Sequence, residues 1–270
     1  MSHKNLIYLL VLALILIFVP VTNAEVSVRP LSLRLKVAPG NSGSSALTIH
    51  NRGEDPSRVQ LRVADWWRTP EGNLQILPPG SREKSAADWI VFSPSDFRIE
   101  ADQRVEINVE VSVPEGVTGD HWSMLLVTEE PLNSENSSGM QVSVGYAVKI
   151  LVENPNAVDE DAEITNIKLV KTNPFELNIT YTNTGNNYLK TKGSVEIRNL
   201  QGETVRSFDI EEFPTLPGEK HRISVQRSEE AEKLDPGQYY AIAIMDFGGD
   251  HLIQGGLPIE IPEGEEKTDE

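Results

Sequence analysis

The stretch Met140-Gln141-Val142-Ser143-Val144-Gly145-Tyr146-Ala147-Val148-Lys149-Ile150-Leu151 carries an apolar residue at every second position from Met140 to Ile150. A period of two puts Met140, Val142, Val144, Tyr146, Val148 and Ile150 on one face of an extended strand. The opposite face holds Gln141, Ser143, Gly145 and Ala147, and then a single cation, Lys149. A strand of this kind has two uses. It either turns its apolar face to the core of its own sandwich or offers that face to a partner.

The chain on either side of this run is all-β. From Val26 onward it consists of short alternating segments broken by Gly, Pro, Asn and Asp, with no helical period sustained over several turns. Strands are expected around Val26/Val28, Leu31 to Val37, Leu47/Ile49, Val59 to Val63, Ile90/Phe92, Val105 to Val113 and Met124/Leu126. Together with the Met140 run they make one immunoglobulin-like β-sandwich. Asn154-Pro155-Asn156-Ala157 and the charged Asp159-Glu160-Asp161 then interrupt the pattern. Beyond them, segments from Ile164 to Ile261 lay out a second immunoglobulin-like sandwich. The two halves echo each other. Asn51-Arg52-Gly53 closes one strand as Asn183-Thr184-Gly185 closes another, and a Pro-Gly corner precedes an aromatic strand start at Trp122 and again at Tyr239-Tyr240.

The expected division is therefore 1–24, 25–155, 156–262 and 263–270. The first segment reads as a signal peptide: Lys4 supplies the positive start, Leu6 to Val19 is almost unbroken aliphatic, and Thr22-Asn23-Ala24 ends in a small residue. Cleavage after Ala24 gives an exported protein. The alternatives are an uncleaved anchor in the inner membrane, for which the apolar stretch is short, or secretion. The last segment, Glu263 to Glu270, is an acidic tail.

A net charge of -17 argues against a nucleic-acid partner, which demands clustered Lys and Arg. With no cysteine, disulfides, thiolate metal sites and a lipid-modified cysteine are all excluded. No catalytic signature is present: there is no G-x-S-x-G elbow, H-E-x-x-H pair or phosphate-cradling glycine loop. His50, His121, His221 and His251 are isolated in sequence, and Asp246 to His251 reads as a Gly-Gly turn between strands rather than a metal loop. No enzyme activity, cofactor, metal or small-molecule substrate is expected. Trp66 and Trp67 point to opposite faces of one strand; one is expected to plug the sandwich and the other to lie under the segment Leu77 to Ala87.

The run ending in Lys149, followed by Val152-Glu153-Asn154-Pro155, resembles the last strand of the first domain in periplasmic pilus-assembly chaperones of the PapD type. Ser45 to Asn51 and Val113-Pro114-Glu115 to Met124, with Glu129-Glu130-Pro131, carry further similarity. The resemblance implies two immunoglobulin-like domains that complete an unfinished pilin-like or surface subunit by lending it a strand. Met140, Val142, Val144 and Tyr146 would enter the subunit, with Val148 nearer the cleft. It also implies two cleft cations for the subunit's terminal carboxylate: Lys149 and, on the opening strand, Arg34, the latter through a one-residue shift or bulge because Leu35 occupies the matching position. An outer-membrane usher and self-association in the free state belong to the same expectation. Thr118-Gly119-Asp120-His121-Trp122-Ser123 departs from the family's acidic-basic signature, which leaves open a branch working without an usher. The competing reading is a structural or adhesive surface protein built of two such modules.

Overall fold

A computed structural model describes residues 26–131, 145–156, 159–226 and 233–263. The expected leader, Met140, Val142, Val144 and the tail beyond Glu263 lie outside these residues. Among the described residues, seventeen strands and one 3-10 turn, Ala87–Trp89, make up the regular structure, and no helix is long and apolar enough to cross a membrane.

The first half uses β1 (Val26–Arg29), β2 (Ser32–Lys36), β3 (Ser42–Asn51), β4 (Ser57–Arg68), β5 (Leu74–Leu77), β6 (Ile90–Ser93), β7 (Asp96–Ile99), β8 (Arg104–Ser112), β9 (His121–Pro131) and β10 (Gly145–Glu153). One sheet runs β1-β3-β8-β6; the other runs β2-β10-β9-β4-β5, with β7 also on β4. Alternation accounts for the core between them. Leu33 and Leu35 of β2, Val59 and Leu61 of β4, Ile107, Val109 and Val111 of β8, and Val148, Ile150 and Val152 of β10 all point inward.

The second half uses β11 (Ala162–Thr172), β12 (Phe175–Asn183), β13 (Leu189–Arg198), β14 (Thr204–Thr215), β15 (Lys220–Gln226), β16 (Gly237–Asp246) and β17 (Ile253–Ile261). Its sheets are β11-β12-β15 and β14-β13-β16-β17. Leu177, Ile179, Tyr181, Val195, Ile197, Ala241 and Ala243 fill the space between them. The architecture is all-β with two sandwich-like halves, as the alternation predicts.

The echo between halves has a physical basis. Asn51 Oδ1 accepts from Gly53 N at 2.9 Å while its Nδ2 donates to Asp55 O at 2.7 Å. Asn183 Oδ1 accepts from Gly185 N at 3.1 Å while its Nδ2 donates to Asn187 O at 2.9 Å. Each buried amide closes its own turn and satisfies the backbone that leaves the sheet.

Two local features position the junction between the halves. The chain changes sheets at Pro30: β1 pairs antiparallel with β3, whereas β2 pairs parallel with β10, from Lys149↔Ser32 to Glu153↔Lys36. A third apolar cluster lies outside both cores. Ala64, Trp66, Trp122, Met124 and Leu151 from the first half meet Leu216 from the second, with Trp67 and Tyr188 against them.

Candidate functional site

On β10 the two faces separate cleanly. Tyr146, Val148, Ile150 and Val152 face the first half's own core, and Ala147, Lys149 and Leu151 face the second half. Val148 is fully buried in its own sandwich, and Tyr146 packs on that core with its hydroxyl donating to Val26 O. Val148 has no exposed surface, whereas Tyr146 stays partly exposed.

Lys149 lies on the face of β10 that meets the second half. Its Nζ lies 4.8 Å from the centre of the Trp66 ring, and among the described residues it makes no ion pair. Burial lowers its pKa, and the nearby positive charge of Arg68 lowers it further against the attraction of Glu219. Arg34 shares this face, opposite Leu151 in an uninterrupted register, so the expected bulge is not needed. Leu33 and Leu35 point into the core, which leaves Arg34 outward by simple alternation. Its Nε donates to Glu153 Oε1 at 2.7 Å and its guanidinium sits 4.7 Å over the ring of Tyr188. Arg34 is thus engaged by Glu153 and the second half, whereas the cation that acts electrostatically on Lys149 is Arg68.

Three groups that sequence reasoning missed join the halves. Asp120, almost wholly buried, accepts from Asn154 N at 2.9 Å and from Tyr188 N at 2.7 Å. Desolvation raises its pKa despite those two bonds. Asp120 N donates in turn to Asn186 O at 2.8 Å. The backbone approach is so close that a Cβ on Gly119, at φ +72°, would meet Asn186 O at 2.5 Å. The second and third groups are Arg68 and Glu219. Arg68 Nη2 donates to Glu219 Oε2 at 2.7 Å and to Pro214 O at 2.9 Å; the Glu219 side chain has no exposure at all. Burial raises the Glu219 pKa, with Arg68 and the Leu216 amide acting the other way.

The hairpin between β4 and β5 completes the junction. Pro70 O accepts from Arg222 N at 2.8 Å, and Glu71 pairs with the Arg222 guanidinium at 2.9 Å. Neither tryptophan of this strand plugs the first sandwich, contrary to expectation. Trp66 joins the interface cluster and donates Nε1–H to Ser123 O at 3.1 Å. Trp67 stacks on Trp122 and lies beneath Arg82, whose guanidinium is 4.0 Å from the ring centre, so the segment after β5 does cover it. His121 is buried beside Trp89; burial and the charge of Lys84 lower its pKa from 6.5 to about 4.

The backbone edge matters as much as the side chains. β2 begins opposite Lys149, and Lys149 N donates to Leu31 O at 3.0 Å. By the strand period, the N–H and C=O of Ala147 and Gly145 point to the same side as those of Lys149. No described strand pairs with β10 there, although β9 pairs with it throughout this stretch on the other side. Among the described residues, the edge of β10 from Lys149 back to Gly145 is therefore unpaired. No cluster of three or more metal-ligating side chains occurs among the described residues.

No family model matches this sequence, and no curated protein matches it. Over most of its length the chain is similar in structure to periplasmic pilus chaperones. A chain of the CsuC-CsuE chaperone–tip adhesion subunit pre-assembly complex from the Csu pili of Acinetobacter baumannii is 13% identical, with 86% of this chain and 98% of that chain covered and a TM-score of 0.48. A chain of a chaperone–tip adhesin complex of CFA/I fimbriae biogenesis is 13% identical, covering 89% and 100%, with a TM-score of 0.49. The E. coli chaperone DraB is 16% identical, covering 85% and 95%, with a TM-score of 0.45.

Proposed function

We propose that this chain is a non-enzymatic periplasmic chaperone that holds exported pilin-like or surface subunits by lending them a β-strand. The observation that supports it most is the edge of β10 immediately before Lys149, which no described strand pairs. An open strand edge is a template for pairing with another chain, and proteins ordinarily cover or charge such edges. Here the edge residues are Gly145 and Ala147, small and uncharged. Strand addition would satisfy their backbone groups, and alternate side chains would fill the guest's groove.

The side chains that enter the guest are assigned to Met140, Val142 and Val144. Tyr146 and Val148 are left out because they already belong to the chaperone's core. Burying each of the three contributes about 1.5 to 3 kcal/mol. Lys149, held over Trp66 at the end of that edge, is the cation for an anionic group of the guest. Arg34 flanks the same face, two residues further along the neighbouring strand. Val142→Asp with Val144→Asp, and separately Lys149→Ala, should abolish co-purification of a subunit that lacks its last strand while both variants remain folded. Unchanged recovery of the subunit would remove the proposal.

A further inference from the structure

Around Lys149 the structure holds more cation than it uses. Arg68 and Lys149 face a single carboxylate, Glu219, and each acts on it electrostatically. Glu219 is fully buried, yet only Oε2 is bonded, to Arg68 and to the Leu216 amide at 2.8 Å. Its Oε1 has no partner among the described residues, and neither has Arg68 Nε or His221 Nδ1. Buried polar atoms are almost always bonded. Two orphans on one buried ion pair, with a third on His221, whose pKa the Arg68 charge lowers, leave hydrogen-bonding capacity for one more polar group.

We propose that Glu219 is an internal occupant of the cleft's anion site, and that a guest carboxylate binds at Lys149 and Arg68 only when Glu219 is neutralised or swings off Arg68. This rests on the chaperone reading and adds a gate to it. The chemistry follows from charge. Arg68 is the donor with an unused N–H, and Lys149 is the partly exposed cation beside it. With Glu219 ionised between them, an arriving carboxylate meets a like charge in a site with little water. With Glu219 neutral, the same carboxylate meets two cations. The gate also explains why a strongly acidic chain keeps a lysine without an ion partner at its interface.

The probe is N-acetylglycine, a minimal C-terminal carboxylate, titrated into the full exported chain while following the fluorescence of Trp66, with N-acetylglycinamide as control. Glu219→Gln should bind the acid at least tenfold more tightly than the wild type and should ignore the amide. Adding Lys149→Met should return the affinity to the wild-type level. In the wild type, affinity should rise as the pH is lowered, because burial raises the Glu219 pKa and Glu219 therefore takes up a proton before a terminal carboxylate, with a pKa of about 3.3–3.7, does. The charged groups facing Glu219 are Arg68 from β4 and Lys149 from β10; His221 on β15, lowered by burial and by Arg68, is common to both proteins. If Glu219→Gln does not fold, the same pH series in His221→Phe decides, and a flat profile overturns the gate. Equal, Lys149-dependent binding by wild type and Glu219→Gln overturns the gate and leaves the chaperone reading standing. Absence of acid binding by both overturns the gate together with the carboxylate anchor.

Discussion

Removing the Asp120 carboxylate tests whether the two halves are held at a fixed angle. One of its oxygens takes the Asn154 amide at the hinge and the other takes the Tyr188 amide across the interface, at 2.9 and 2.7 Å. In Asp120→Ala both amides lose their acceptor in a dry site. Each buried, unsatisfied group costs about 1–3 kcal/mol. Against this stands the relief of no longer burying a carboxylate, whose raised pKa shows that its ionised form is already penalised. The net expectation is a loss of about 2–4 kcal/mol for Ala. For Asp120→Asn, which keeps the shape and one acceptor, it is about 1–2 kcal/mol. Urea unfolding followed by tryptophan emission measures both; residual dipolar couplings on the folded variants report whether the halves still share one orientation. A loss under about 0.5 kcal/mol in both variants, with one common orientation retained in Ala, would refute the argument.

Two further outcomes are expected at the same interface. Arg68→Ala leaves Glu219 buried without its cation and should destabilise by about 3–5 kcal/mol, whereas Arg68→Met with Glu219→Leu should recover most of that loss in the same unfolding assay. His121, neutral in the fold down to pH about 4 but titrating near 6.5 when unfolded, contributes stability that is present above pH 6.5 and lost as the pH falls toward 4. Between pH 7.5 and 4.5 this amounts to about 2–3 kcal/mol, so the stability of wild type should fall by that much more than that of His121→Gln.

The fold was legible because period-two alternation and turn chemistry repeat over the whole chain, and the Asn-x-Gly closures at Asn51 and Asn183 recur atom for atom. β5 and β7 escaped because four residues between turns carry too little pattern to establish a period. Lys149 was legible as the only charge on its face of the run. Val148 shows the limit of the same argument: periodicity says which residues share a face but not whose core that face meets. Nothing in the sequence around Arg68, Asp120 and Glu219 marks them as buried. Their burial is created by contacts between residues far apart, 151 positions for Arg68 and Glu219 and 68 for Asp120 and Tyr188, which no local window contains.

Amide hydrogen exchange at Ala147 is the most direct test of strand lending, because its N–H lies on the edge that β2 leaves uncovered while the Val148 and Ile150 amides face β9. In the free protein the Ala147 amide should exchange much faster than those two neighbours. A subunit lacking its final strand should slow it by at least about a hundredfold, the protection expected of a newly formed ladder. Protection of Ala147 equal to that of Val148 before any subunit is added, or no change on adding it, would contradict the account.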